Sequence, residues 1–531
     1  MLKVTLPAAI KAELDPVIAT LVSDKVASEI SKKNFTLWGK PAESESSIRL
    51  GWVTSATESE KYVADILALK AVLNAKGVDR IVLCGMGGSS LAPEVITKSF
   101  GVPLEVLDST DPDQVRQTSS KDLARTAVVV SSKSGSTVET DSQKRIFEEL
   151  FTAAGIDKTE RIIVVTDPGS PMEKAALADG YKVFNADPTV GGRYSALTAF
   201  GLVPSGLAGA DIQALLVQAQ SATATLFADD VTNPGLVLGA AMARTKSANG
   251  FKDKIGIISD ESSLPDFADW AEQLIAESTG KEEHGVLPVV LKETSFESAG
   301  AIDDLLLAEV SANPIAENSS RVQVQGTLGE QFLLWEYATV VASRLIGINP
   351  FDQPDVESAK IAARGMLEQK AAIIPDAFTV GNIAVRAEGF ELPASQDLGE
   401  TLHALLAQLS PEGYVSIQAY LNRNSVLPVD ELREKVATVT KRPTTFGWAP
   451  RFLHSTGQYH KGGPRNGVYL QLLSKASEDL QVPGREFTFG ELIASQAAGD
   501  GKVLADLGRP VLTLTLSDPD KDIQTLINLI G

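Results

Sequence analysis

The chain of 531 residues contains one cysteine, Cys84, so it can form no internal disulfide and a reducing compartment is expected. Cys84 lies within the apolar run Arg80 to Met86, which marks it as a buried strand residue ahead of a reactive thiol. Long hydrophobic runs are also missing. None approaches the ~20 residues that span a bilayer, and acidic residues interrupt MLKVTLPAAIKAELDPVIATLV where a secretory signal would be continuously apolar. Neither membrane insertion nor export is expected on this reading, and a cytoplasmic location is. Positive charge is scarce: a formal net charge of -20 presents no basic stripe to nucleic acid and repels an anionic membrane surface, so a phosphorylated ligand needs a locally positive pocket. Only four histidines occur, His284, His403, His454 and His460, with no HxxxH pair and no Cys or carboxylate cluster at metal-ligand spacing. A protein-bound metal is not expected.

The balance of 44% apolar and 22% charged residues is that of a globular protein able to bury large cores, and the length suggests two to four domains. Residues 1–55 read as an N-terminal helical appendage anchored by Phe35, Leu37 and Trp38. From Lys61 a helical period gives way to the apolar run RIVLCGM, and PLEVLDS, AVVVSS, RIIVVTD and YKVFN follow, each separated by enough chain for a crossover helix. That alternation predicts an open, doubly wound parallel sheet over 56–235. A second alternation, KIGIISD, GVLPVVL, LLLAEV and RVQVQG, predicts a second α/β domain over 236–394, with a helical stretch from Gln331 to Leu345. YVSIQAYL, GVYLQLL and PVLTLTL, with ELREKVATV and FGELIASQAA between them, predict an α/β extension over 395–531.

Several loops carry chemistry. In CGMGGSS the glycines let the chain turn sharply off a buried strand into the helix opened by Ser89 and Ser90, either as an anion site of free N–H groups or as a tight strand–helix turn. It lacks the GK[ST] of a Walker loop. SSKSGST repeats the layout with the hydroxyls of Ser132, Ser134, Ser136 and Thr137 and the cation of Lys133. Two such loops at the carboxyl edge of one parallel sheet favour an anion site over two capped helices. On the helix predicted for Pro265 to Ser278, Gln273 and Glu277 sit one turn apart at the margin of the apolar stripe, so Glu277 is either a partly desolvated base or a solvated surface glutamate. Arg193 in GGRYSALTAFG suits a developing oxyanion, or ties a loop to the sheet. NPFDQPDVESAK places two turn signals before a helix carrying Lys360, and RFLHSTGQYHKGGPRNG gathers His454, His460, Lys461, Arg451 and Arg465, as a functional loop or a solvated basic one.

In this order GMGGSS, SSKSGSTVET, GGRYSALTAFG, QLIAESTGK and NPFDQPDVESAK resemble the glucose-6-phosphate isomerase family from about Lys61 to Lys360. The resemblance implies two sugar-isomerase (SIS) type doubly wound parallel-sheet domains, a homodimer and no cofactor. It implies interconversion of glucose 6-phosphate and fructose 6-phosphate through an enediolate. Phosphate binding falls to Gly88, Ser89, Ser132, Lys133, Ser134 and Thr137, enediolate support to Arg193, proton shuttling to Glu277, substrate contacts to Gln273 and Gln353, and ring opening to Lys360. The family's ring-opening histidine has no counterpart between Glu277 and Phe351, where His284 is the only histidine, and about 170 residues follow Lys360. That long tail resembles the isomerase part of bacterial transaldolase-isomerase fusions, without a transaldolase barrel. A tail histidine, His454 ahead of His460 and His284, is expected to replace the missing one, in its own or a neighbouring subunit's site. The alternatives are a regulatory protein that binds sugar phosphate without turnover, which needs the loops but no base, and an isomerase that also accepts mannose 6-phosphate.

Overall fold

The computed structural model describes residues 2–316, 320–356, 361, 365, 367, 375–476 and 478–531. Among them the chain is α/β and builds three larger sheets. In the first, Glu105–Leu107, Arg80–Gly85, Thr126–Ser131, Ile162–Thr166 and Lys182–Asn185 lie side by side in that order, all parallel. The three central strands are nearly continuous apolar runs because crossover helices cover both faces, which leaves no solvent side to alternate toward. Cys84 is fully buried within one of them, and burial pushes its thiol pKa up.

The second sheet has the order Lys3–Thr5, Val322–Gln325, Leu305–Ser311, Lys254–Ser259, Leu287–Leu291. All pairs are parallel except the first, where the N-terminal strand closes the edge antiparallel. The appendage is thus strand first and helices after, Ala8–Ser23 and Val26–Ser31. A three-residue strand is too short to carry a period in the sequence. Trp38 Nε1 donates to Val340 O (2.8 Å) and Tyr337 Oη to Ala27 O (2.6 Å), fastening the appendage to the helix Leu328–Ile346. That helix is buried nearly all round, and Phe332 and Trp335 on it pack against Phe267 of the helix Phe267–Thr279. Each large apolar side chain so buried contributes about 1.5–3 kcal/mol.

The third sheet has the order Phe378–Val380, Ile383–Glu388, Val511–Leu516, Gly467–Ser474, Tyr414–Tyr420, Thr444–Trp448. The last four run parallel, and Ile383–Glu388 pairs antiparallel with Val511–Leu516. Buried ion pairs dock it onto the rest. Arg433 grips Glu297 with both nitrogens (2.9 and 2.5 Å), and Arg451 Nη2 reaches Glu94 Oε2 (2.7 Å) while its Nε lies 3.3 Å from Asp108 Oδ2. Charges this deep persist only when matched in geometry, so these contacts fix one orientation for the C-terminal sheet. No helix among the described residues is long and apolar enough to cross a membrane.

Candidate active site

Register sets the first half of the site. Gly85 pairs with Ser131, so GMGGSS and SSKSGST leave neighbouring strands at the same carboxyl edge. The glycines of the first loop are required by close approach. A Cβ on Gly87, whose φ is +55, would lie 2.3 Å from His454 O and 2.8 Å from Gln273 Nε2, and one on Gly88 would lie 2.1 Å from Gly192 O. Ser89 ends this turn with 8% of its surface exposed. In the second loop Ser132 Oγ accepts from Gly135 N (3.2 Å) and lies 3.1 Å from Thr137 Oγ1, while Ser134 and Ser136 hydroxyls are 2.9 Å apart. Lys133 pairs with Asp167 Oδ2 (2.5 Å) and donates to Pro188 O (3.3 Å). Burial lowers its pKa, and the Asp167 hydrogen bond acts against that.

The second half comes from the helix Phe267–Thr279, which follows the strand Lys254–Ser259. Gln273 and Glu277, 3% and 5% exposed, are one turn apart on it. Arg193, 4% exposed on the turn Gly192–Tyr194, donates through Nη1 to Glu277 Oε2 (3.2 Å) and Gln353 Oε1 (2.9 Å). Its Nη2 donates to the carbonyls of Pro350 (3.1 Å) and Asp352 (2.9 Å). Gln273 Nε2 donates to His454 O (2.8 Å) and lies 3.4 Å from Glu277 Oε2. A buried carboxylate therefore sits beside a buried guanidinium, with two carboxamides around it. Glu277 is no solvated surface residue.

The tail supplies the third wall within the same chain. The stretch read as either functional or solvated is largely buried: a turn Arg451–His454 leads into a short helix Gly457–Gly462, every residue of which is buried. His454 Nε2 lies 2.9 Å from Glu139 Oε1, and Gln496 Nε2 donates to the same oxygen (2.7 Å). His460 is elsewhere. It packs against Tyr414 and Tyr469, with Nδ1 2.9 Å from Tyr414 Oη, and burial drives its pKa well below the usual imidazole value. His284 is exposed on the turn after the helix Phe267–Thr279, its Nδ1 2.7 Å from Glu282 O. Of the three histidines weighed from the sequence, the structure brings His454 to Gln273 and Gly87. Arg451 is a docking residue, Lys461 pairs with buried Asp500, and Arg465 pairs with Glu283 at the surface. Lys360 lies outside the described residues.

The site also contains residues the sequence reading passed over. Lys281, in the quoted ESTGK, is 1% exposed, and burial and the nearby Arg193 guanidinium bring its ammonium pKa down to about 8. Its spacing of four from Glu277 was the available signal. Gln458, Glu139 and Gln496 offered none, because their partners are remote in sequence. Among the described residues no group of three or more His, Cys, Asp or Glu is placed to hold a metal ion.

The sequence model of the phosphoglucose isomerase family matches residues 69–296. A probable glucose-6-phosphate isomerase of Natronomonas pharaonis is 28% identical over 340 residues, covering 54% of this chain and 79% of that protein. The glucose-6-phosphate isomerase of Synechococcus elongatus is 28% identical over 392 residues, 62% of this chain and 73% of its own length. Among solved structures, a hypothetical protein from Thermus thermophilus superposes with a TM-score of 0.57 at 24% identity, over 70% of this chain and 100% of that one. A glucose-6-phosphate isomerase from Chlamydia trachomatis gives 0.55 at 18%, over 68% and 87%. Both share the fold of paired parallel sheets.

Proposed function

We propose that this chain, similar over residues 69–296 to the phosphoglucose isomerase family and at 28% identity to glucose-6-phosphate isomerases, interconverts glucose 6-phosphate and fructose 6-phosphate. The observation that carries this reading is the buried Glu277 carboxylate set between Arg193 and Gln273, with the Gly87 turn packed against Gln273. A binding protein needs the loops. It gains nothing from a carboxylate desolvated beside an arginine.

In this mechanism the phosphate is held by the turn at Gly88 and Ser89 and by Ser132, Lys133, Ser134 and Thr137. That anchoring sets the sugar chain toward Glu277, which takes the proton from C2 of the aldose and delivers it to C1 of the enediolate, while the hydroxyl proton passes from O2 to O1 to leave the ketose. Negative charge develops on the enediolate oxygens during this transfer. Arg193, already oriented by two backbone carbonyls, stabilises it without reorganising. Gln273 and Gln353 hydrogen-bond the sugar hydroxyls. In ring opening the bond from C1 to the ring oxygen breaks as the C1 hydroxyl gives its proton to water and the ring oxygen gains one from His454, whose Nε2 is held by Glu139 so that the proton is given from Nδ1. Lys360, on the resemblance, assists there. No metal or cofactor enters any step. A cytoplasmic homodimer fits the family and the charge balance.

A coupled assay of fructose 6-phosphate conversion tests the reading. Glu277→Gln is expected to lose about 10²–10⁴-fold in kcat while still binding phosphorylated sugar. His454→Ala is expected to slow turnover of the ring form far more than isomerisation of open-chain sugar. Full activity of His454→Ala on the ring form contradicts the ring-opening assignment, and full activity of Glu277→Gln contradicts the mechanism.

A further inference from the structure

The segment from Asn349 to Val356 delivers Gln353 to Arg193 and offers the carbonyls that orient the guanidinium. It contains two prolines and ends in the first turn of a helix, whose N–H groups have no partner within that helix. Two buried side chains outside the proposed chemistry hold it. Lys281 Nζ donates to Asn349 O (2.7 Å), Asp352 O (2.7 Å) and Asp352 Oδ1 (2.8 Å), using an ammonium's three donor directions. Asp352 O therefore receives Lys281 and Arg193 together. On the other side Gln458, fully buried on the C-terminal domain, uses both ends of its carboxamide. Its Oε1 accepts from Asp355 N (3.0 Å) and Val356 N (3.3 Å), and its Nε2 donates to Gly280 O (2.9 Å) and Asp355 Oδ2 (2.5 Å).

Packing leaves this contact no slack. A Cβ on Gly462 would stand 2.2 Å from Asp355 Oδ2 and 2.7 Å from Gly280 O, and one on Gly280 would stand 2.4 Å from Tyr459 Cα. Backbone from the catalytic helix, the Asn349–Val356 segment and the tail thus meet at one point. A shift of Gln458 is transmitted to Gln353 and Arg193 through these hydrogen bonds and contacts.

We propose that Lys281 and Gln458 are positioning residues that clamp the Asn349–Val356 segment in the register from which Gln353 and Arg193 serve Glu277, so that the C-terminal domain controls the isomerisation step through a side chain whose hydrogen bonds all go to the clamp. The proposal rests on the reading of Glu277 and Arg193 as the reacting pair. It assigns the extension a second contribution beside His454, since Gln458 sets the geometry of a segment between the two halves of the site. The phosphate loops lie outside the clamp and keep their hydroxyls and backbone donors when it is broken.

The test compares Gln458→Met, Gln458→Glu, Gly462→Ala, Lys281→Met and the double variant Lys281→Met/Gln458→Met with the full-length protein. Gln458→Met keeps the volume and loses the four hydrogen bonds. Gln458→Glu also sets a carboxylate against Asp355 and Gly280 O. Displacing reacting groups by a fraction of an ångström to an ångström lowers kcat by about 10- to 100-fold. That loss is expected for each single variant, largest for Gln458→Glu, with KM for fructose 6-phosphate and affinity for 6-phosphogluconate, a phosphosugar with no isomerisable carbonyl, within about twofold of wild type. Because both residues hold one segment, the double variant is expected to lose less than the product of the single losses. Wild-type kcat in Gln458→Met, an equal loss of kcat and phosphosugar affinity, or fully multiplicative losses in the double variant would each overturn the clamp. If Gln458→Met does not fold, Gly462→Ala, which displaces Asp355 without removing a polar group, carries the same decision. An active Glu277→Gln, by contrast, defeats the underlying reading and leaves the clamp without a reaction to position.

Discussion

The carboxyl edges of the first two sheets are built from similar residues and end in opposite states. At the first, Ser132, Ser134, Ser136 and Thr137 bond to one another and to their own loop backbone. At the second, where the strands Lys254–Ser259 and Leu305–Ser311 end side by side, the same kind of donor converges on a carboxylate of the chain itself. Asp260 accepts from Ser262 N and Oγ (3.0 and 2.6 Å), Ser263 Oγ (2.8 Å) and Ser311 Oγ (2.8 Å). Partial burial raises the Asp260 pKa, but the hydrogen bonds from Ser262, Ser311 and Ser263 outweigh it and hold the carboxyl well below the usual range. The loop proposed to hold phosphate in one sheet thus has a counterpart in the other whose donors already hold an internal carboxylate. The second sheet contributes through the crossover helix after its strand Lys254–Ser259, which carries Gln273 and Glu277, and on the proposed mechanism the two halves divide into holding and reacting.

Substitutions at the two edges break or sharpen that division. The largest effect is expected at the first edge: Ser132→Ala with Thr137→Val removes donors to a charged phosphate and should raise KM about 10- to 100-fold, read in steady-state kinetics. Asp260→Ala at the second edge should leave KM unchanged and cost about 1–2 kcal/mol in denaturant unfolding, because freed hydroxyls find water at a half-exposed position. If Asp260→Ala instead raised KM as the first pair does, the division would fail. The smallest effect lies behind the edges, at His460. Its folded-state pKa is depressed, so the unfolded chain binds the proton first. Stability is fully present above about pH 6.5 and falls as pH drops below it, by at most about 1.4 kcal/mol per pH unit. His460→Gln should flatten that slope in urea titrations at pH 5 to 7.

Much of this was legible in the sequence because it is local. RIVLCGM, AVVVSS and RIIVVTD are buried strands whose apolar runs need no partner information, and the strand–loop–helix layout puts GMGGSS and SSKSGST at one edge by topology alone. Strands Thr444–Trp448 and Phe378–Val380 escaped notice because TTFGW and FTV are short and mixed in character, and neighbours in the sheet supply what the segments lack. The site shows the same split. Glu277 and Gln273 share a helix face, which spacing reveals. Glu139, Gln458 and Gln496 join the site across separations of 315, 103 and 357 residues, which no periodicity encodes. His454 stood out only because the stretch around it is dense in polar groups, and that density also suggested His460 and Lys461, which turned out to be buried in tyrosine and ion-pair packing.

The central claim is that a single carboxylate, Glu277, carries a proton between adjacent carbons. Conversion of fructose 6-phosphate in deuterium oxide, followed by proton NMR at C1 and C2, tests it most directly. The wild-type protein should place deuterium at the transferred position in a fraction of turnovers, since a proton resting on a carboxylate exchanges with solvent, and Glu277→Gln should show neither conversion nor exchange while still binding 6-phosphogluconate. Conversion with no deuterium uptake, or undiminished exchange in Glu277→Gln, would contradict the account.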